Sequence, residues 1–213
     1  MEAVQVEVDA LYKNHTWTIV QKPPNSNVVS CKWLFTKKYD AHGNIRFKAQ
    51  LVARGFTQIP IVDYHETFSP TLKLTSLRLI FAITTYLNLE LHHVDIEIAF
   101  LNGDLKEEIY MEQPQLLKDK LHPNYVYKLH KPLYGLKQSL RQWYAKLHRF
   151  LLTNSFVQLQ SEPTLYVRNK YHTFLLLGIY VDDRALLLEP LRPTFFNLST
   201  TYNKLFPPNI LVS

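Results

Sequence analysis

Tyr180-Val181-Asp182-Asp183 sets two adjacent carboxylates at the end of an apolar stretch that begins at Phe174. Taking an unpaired carboxylate out of water is costly, so such a pair must reach solvent, a cation or a metal. Neighbouring residues of a strand point to opposite faces, and only a sharp turn lets both acids serve one site. Asp95, which ends the stretch Leu89 to Val94, supplies a third carboxylate from a second strand. Magnesium prefers oxygen ligands, and two such ions held this way can activate a hydroxyl and neutralise charge developing on a triphosphate. In isolation an Asp-Asp pair is more often a polar turn or a helix cap.

Those acids need rigid elements to hold them. Val4, Val8 and Leu11 recur at helical spacing and predict an amphipathic helix over 3–13. From Cys31, the residues Trp33, Phe35, Lys37 and Tyr39 alternate with Lys32, Leu34, Thr36 and Lys38 up to the turn at Asp40-Ala41-His42-Gly43-Asn44. A second strand over Ile45 to Ala53 completes a basic hairpin, and Trp33, Phe35 and Phe47 offer it an apolar or stacking face. The alternative is a hairpin with one solvated face. Thr75 is suited to cap a helix carrying Leu77, Ile80, Phe81, Thr84 and Leu87 toward the core. Strands follow at 89–96, 109–111 and 126–129, then a helix over 139–154 and a strand over 173–181. This order predicts an α+β fold with helices on one face of a mainly antiparallel sheet.

Charge is arranged in blocks. The 213-residue chain has a formal net charge of +6, which favours a polyanionic partner. Basic segments at 32–54 and 128–149 flank the acidic run Glu90, Asp95, Glu97, Asp104, Glu107, Glu108 and Glu112. Carboxylates between two phosphate-gripping segments suit a metal site that handles phosphates. Cys31 is the single cysteine, which excludes an internal disulfide and a thiolate zinc cluster and fits a reducing compartment. The amino terminus has no secretory pattern and no apolar run approaches the ~20 residues that cross a bilayer, so an intracellular, membrane-free protein is expected.

Several motifs then occur in one order: Lys48-Ala49-Gln50-Leu51-Val52-Ala53-Arg54-Gly55-Phe56-Thr57-Gln58, Asp63-Tyr64-His65-Glu66-Thr67-Phe68-Ser69-Pro70, and Val94-Asp95-Ile96-Glu97-Ile98-Ala99-Phe100-Leu101-Asn102-Gly103. Ile109-Tyr110-Met111-Glu112-Gln113-Pro114, Leu133-Tyr134-Gly135-Leu136-Lys137-Gln138-Ser139 and Tyr180-Val181-Asp182-Asp183 continue the series. Together, over about Trp17 to Asp183, they resemble copia-type (Ty1/copia) retrotransposon reverse transcriptases. The resemblance implies a right-hand polymerase of fingers and palm, with residues 1–29 as a lead-in, 30–74 fingers-like, 75–183 palm-like and 184–213 a divergent tail. It also implies a truncated copy with the thumb absent.

The same resemblance assigns Asp95, Asp182 and Asp183 as catalytic and metal-binding, with two magnesium ions, or manganese as the alternative. It assigns Phe100 as the aromatic that crowds a ribose 2′-hydroxyl, and Lys48, Tyr134 and Gly135 as nucleotide contacts. Lys32, Lys37, Arg54, Lys137 and Arg141 are the candidate nucleic-acid contacts. The implied substrates are deoxynucleoside triphosphates and an RNA or DNA template-primer, and the implied reaction is RNA-directed DNA synthesis. A catalytically inactive relic that retains nucleic-acid binding is the alternative. Four sites depart from the family: Gln50 stands where arginine is usual, Ile59-Pro60-Ile61 where a small glycine-containing turn is, Leu140 where proline is, and Arg184 where an apolar strand resumes.

Overall fold

The computed structural model describes residues 2–39, 43–95, 99–170, 173–181 and 184–190. In chain order the helices and strands are α1 (Glu2–Lys13), β1 (Trp17–Val20), β2 (Val28–Val29), β3 (Cys31–Tyr39), β4 (Ile45–Ala53), α2 (Leu74–Tyr86), β5 (Leu89–Asp95), β6 (Ile109–Met111) and β7 (Val126–Leu129). They continue with α3 (Ser139–Thr153), β8 (Val157–Gln158), β9 (Leu165–Lys170), β10 (Thr173–Val181) and β11 (Arg184–Pro190). The fold is α+β. Among the described residues no helix is long and apolar enough to cross a membrane.

Contacts divide the chain into two units, residues 1–68 with 100–144, and 69–99 with 145–213. Strand pairing accounts for the division: β6 and β7 join β1 and β2 in one four-stranded sheet of order β1-β7-β6-β2, which ties 109–129 to the amino-terminal segment.

In the first unit, Trp17 of β1 stacks flat on Tyr127 of β7 at 4.5 Å between ring centroids. The hairpin β3–β4 is paired over nine positions from Cys31↔Ala53 to Tyr39↔Ile45. That register puts Trp33, Phe35, Lys37, Tyr39, Ile45, Phe47, Ala49 and Leu51 on one face, and Lys32, Leu34, Thr36, Lys38, Arg46, Lys48, Gln50 and Val52 on the other. Helix α1 lays Val4 and Val8 against Ala49 and Trp33 at the base of the first face. Phe35, Tyr39, Ile45 and Phe47, farther out on that face, remain exposed.

Glu7 of α1 accepts a hydrogen bond from the Leu51 backbone N–H at 3.1 Å. Burial pushes its carboxyl above the usual range, against weaker opposing pulls from that hydrogen bond and from Lys48. A raised folded-state value means that folding takes up a proton between the ordinary carboxylate pKa and the raised one, so stability falls as pH rises through that window. Glu7→Gln keeps an acceptor for Leu51 and removes the titration. Thermal unfolding followed across the acid-to-neutral range is expected to lose this slope in Glu7→Gln and to show higher stability than the parent at neutral pH.

The second unit is built on an antiparallel sheet of order β5-β11-β10-β9-β8. Leu175, Leu176 and Leu177 of β10 and Leu186, Leu187 and Leu188 of β11 are buried at consecutive positions. A strand apolar at every position needs cover on both faces. Leu72 and Ile80 lie against Gly178 on one face. Leu165 opposes Gly178 and Tyr166 opposes Leu177, so Tyr166 belongs to the other face, where its hydroxyl meets His148 Nδ1 of α3 at 2.8 Å. The two helices therefore take opposite faces, not the single face expected from element order.

Helix α2 departs from its expected stripe as well. Ile80 is buried and Leu77 packs with it, whereas Phe81 and Leu87 are exposed. The helix starts at Leu74 after an N-cap Lys73 that makes no side-chain cap, which leaves Thr75 inside the first turn.

Candidate nucleotide and metal site

In the second unit the acidic motifs come from adjacent strands. Val181 and Arg184 are paired across the β10–β11 hairpin, after a register irregularity between Ile179 and Val181. Arg184 in turn opposes Asp95 of β5. The backbone of Asp95 thus lies at the end of the sheet where the β10–β11 hairpin turns. Asp182 and Asp183 themselves lie outside the described residues. Three aspartates would make a hard, all-oxygen donor set of the kind divalent cations take. Arg184 stands where an apolar strand resumes in the family, and the strand it opens runs in register with β5 through Pro190. The buried run Ala185 to Leu188 fixes that strand, and one charged residue at its start does not undo it.

The first unit brings Phe100 and Tyr134 together. Phe100 lies in a short 3-10 turn, Ala99–Asn102, and is 6% exposed. Its ring meets Tyr134 edge-on, with centroids 4.4 Å apart and planes at 65°. Tyr134 begins a tight turn whose Gly135 has φ +90. The Ala53 N–H donates to the Tyr134 carbonyl at 2.8 Å. A Cβ built on Gly135 would lie 2.0 Å from the Ala53 carbonyl oxygen, and one on Gly55 would lie 2.1 Å from the Gly135 carbonyl oxygen. The two motifs are joined backbone to backbone, at a distance only glycine permits.

A buried polar chain reinforces that joint. Gln58 Oε1 accepts from the Lys137 N–H at 2.8 Å, and Gln58 Nε2 donates to Gln138 Oε1 at 3.0 Å. Gln138 Nε2 donates to the Asp63 carbonyl at 2.8 Å. The Asp63 carboxylate accepts from Ile59 N–H at 2.7 Å and Asn27 Nδ2 at 2.5 Å. Gln58, Gln138 and Asp63 are 6%, 0% and 2% exposed. The sequence contains all three within its motifs but gives them no role, because partners some 80 residues apart leave no periodic signal.

The candidate cations are dispersed. Lys48 and Lys32 are exposed on the same face of the hairpin, whereas Lys37 is on the opposite face, with Nζ 5.2 Å above the Tyr39 ring. Lys38 and Arg46, given no role from sequence, share the Lys32 face and stand directly opposite each other. Like charges in that arrangement destabilise a hairpin unless an anion lies over them. Arg54 and Lys137 are exposed near the Gly55–Gly135 joint. Arg141 pairs with Glu66 and donates to the Phe68 carbonyl at 3.0 Å, at the edge of an open cleft of about 460 Å³ that also holds Lys106, Glu107 and Glu108.

The Ile59–Tyr64 turn closes through Ile61 N–H to the Tyr64 carbonyl at 2.8 Å and forces Ile61 to φ +70. A left-handed conformation costs a non-glycine residue about 1–2 kcal/mol, and β-branching makes it a true outlier. Ile61 is 78% exposed, so its side chain returns little by burial. Ile61→Gly is therefore expected to gain about 1 kcal/mol after the glycine's own entropic cost of about 0.5–1 kcal/mol, read as a rise of about 2–4 °C in the thermal midpoint.

Residues 14–190 match the family model described as reverse transcriptase (RNA-dependent DNA polymerase). The chain is 44% identical over 183 residues to the retrovirus-related Pol polyprotein from transposon RE1 of Arabidopsis thaliana, covering 85% of this chain and 12% of that protein. It is 42% identical over 184 residues to the corresponding RE2 polyprotein of Arabidopsis thaliana, covering 85% and 13%. Identity is 41% over 189 residues to the polyprotein from transposon TNT 1-94 of Nicotiana tabacum, covering 88% and 14%. The chain thus spans about an eighth of the length of these relatives. On that likeness, and with the motifs in order, the chain belongs to the reverse transcriptase (RNA-dependent DNA polymerase) family, in its copia-type branch.

Proposed function

We propose that this chain is the fingers and palm portion of a polymerase that joins deoxynucleotides to a primer along an RNA or DNA template. The observation that carries the reading is the β5–β11–β10 register, in which Asp95 opposes Arg184, the residue directly after Asp182-Asp183. Asp95 and Asp182 would be shared ligands of two magnesium ions, with Asp183 less directly involved. Bound there, the ions would neutralise charge on the triphosphate and lower the pKa of the primer hydroxyl.

The protein's own part is to hold and select. The basic face with Lys32, Lys38, Arg46 and Lys48 offers phosphate contacts. The Phe100 ring, packed edge-on against Tyr134, is a rigid wall against a ribose 2′-hydroxyl. The Tyr134–Gly135 turn contributes backbone to the same nucleotide pocket.

A second reading is a remnant that binds nucleic acid without extending a primer. Gln50 on the basic face favours it, since an amide lacks the charged fork that arginine gives a phosphate. Arg184 favours it too, because it puts a fixed positive charge directly after the acidic pair in the chain. Primer extension by the purified chain on an RNA template, with deoxynucleotides and magnesium, separates the two. Extension supports the polymerase. Salt-sensitive binding of the same template-primer, with no extension from a folded sample, supports the remnant.

A further inference from the structure

We propose that Gln58 is a positioning residue for the deoxynucleotide pocket, holding the Tyr134–Gly135 turn and thereby setting how strictly Phe100 and Tyr134 exclude a ribose 2′-hydroxyl. The proposal rests on the polymerase reading above and adds the specificity device behind it.

The hydrogen-bond polarity of the buried chain is dictated at both ends. The Lys137 N–H can only donate, so Gln58 must turn Oε1 toward it, at 2.8 Å. Gln58 Nε2 then faces Gln138, whose Oε1 must accept, at 3.0 Å. Gln138 Nε2 is left to donate to the Asp63 carbonyl, which can only accept, at 2.8 Å. Neither amide can flip without setting acceptor against acceptor or donor against donor. Two glutamines thus fix the segment Leu136–Gln138 against the 58–63 loop. The Ala53 N–H to Tyr134 carbonyl bond and the Gly55–Gly135 approach fix the other side of the same turn. Tyr134 lies between these two anchors, and its ring is what Phe100 packs against.

Gln58 is the point where the two anchors meet. Its own N–H donates to the Gly55 carbonyl at 3.2 Å, so its side chain and backbone join both halves. A side chain that only filled space could be replaced by any residue of equal volume. A polarity-dependent relay cannot.

Gln58→Glu tests the difference, because it keeps shape and the acceptor toward Lys137 but sets an oxygen against Gln138 Oε1. Once protonated, the carboxyl donates again and restores the relay, and burial favours the protonated form. Single-nucleotide incorporation from deoxy- and ribonucleoside triphosphates, measured as kcat/KM against pH, reads the pocket. In Gln58→Glu the preference for the deoxynucleotide is expected to fall on the order of tenfold at high pH, as small misplacements of a binding wall do, and to recover on acidification. Gln58→Met, matched in volume, is expected to lose it at every pH.

Amide hydrogen exchange at Ala53 gives a readout independent of catalysis. In Gln58→Met it is expected to speed up more than the change in global stability accounts for. An unchanged deoxy-over-ribo ratio in both variants, or Ala53 protection that follows global stability alone, overturns the proposal. If the parent chain incorporates neither nucleotide, the polymerase reading fails along with the specificity role, and Ala53 exchange alone decides whether Gln58 holds the turn.

Discussion

Gly135→Ala is expected to remove about 4 kcal/mol or more of the first unit's stability. The position combines two penalties that glycine alone avoids. Its φ of +90 is a conformation that L side chains rarely adopt, and holding alanine there costs about 1–3 kcal/mol. The added carbon would also lie 2.0 Å from the Ala53 carbonyl oxygen and 2.7 Å from Val52 Cγ1, so the chain segments must part. Parting them breaks the Ala53–Tyr134 hydrogen bond, worth about 1 kcal/mol, and leaves buried polar groups unpaired at about 1–3 kcal/mol each. The sum is about 4 kcal/mol or more, a large share of the about 5–15 kcal/mol that holds a domain together.

Gly43→Ala is the control. Gly43 has a similar φ of +81 in the hairpin turn, yet a Cβ there meets nothing within 4 Å. It carries the strain without the clash and is expected to cost only about 1–2 kcal/mol. Denaturant unfolding of the two variants side by side separates conformational strain from close approach. Equal losses would mean that the Gly55–Gly135 joint contributes nothing beyond its backbone angle.

How much of this was legible in the sequence depends on whether a feature is local. Helix α1 was legible from Val4, Val8 and Leu11, and the hairpin from alternation up to a polar turn, because periodicity is set by neighbours in the chain. The strand Arg184–Pro190 was not, because the tail from residue 184 diverges from the family motifs, whereas the buried run Ala185 to Leu188 and pairing with β5 decided it. Strand β9 was missed for a related reason: Tyr171-His172, between it and β10, carries none of the Asn-Gly or Gly-X signals of a two-residue turn.

Helix α2 was overread. Leu77, Ile80, Phe81, Thr84 and Leu87 fit one side of a helix, yet only part of that side meets the sheet. Apolar periodicity says which residues can be buried together, not how much surface will be there to receive them. The candidate site divides in the same way. Residue types pointed to the acids, whereas Phe100 was assigned by the family resemblance alone; its ring meets Tyr134 edge-on. The glutamine relay stayed hidden, since its partners come from separate motifs and its value lies in hydrogen-bond direction, which no propensity scale records.

Asp182→Asn and Asp95→Asn are each expected to abolish primer extension while leaving the chain folded. Asparagine preserves size and one carbonyl oxygen but removes the negative charge that would balance a divalent cation held there. Losing several kcal/mol of charge stabilisation corresponds to a rate fall on the order of 10³-fold or more. Folding is expected to survive, because asparagine is isosteric with aspartate, and if the acids share one site the lost charge also relieves repulsion. Higher thermal stability in either variant without metal, together with loss of extension, is the paired result expected of a cation site. Asp183→Asn is expected to fall less far, as a less direct ligand. Arg184→Leu, which restores the apolar character usual after the acidic pair, decides how the fixed positive charge acts. Faster extension would mean that the arginine competes with the cation at Asp95, its backbone partner across β11 and β5. Extension unchanged by Arg184→Leu but lost in both Asp variants would leave the aspartates as the whole of the charge requirement. Extension that survives Asp182→Asn would remove the metal-ligand role of that residue altogether.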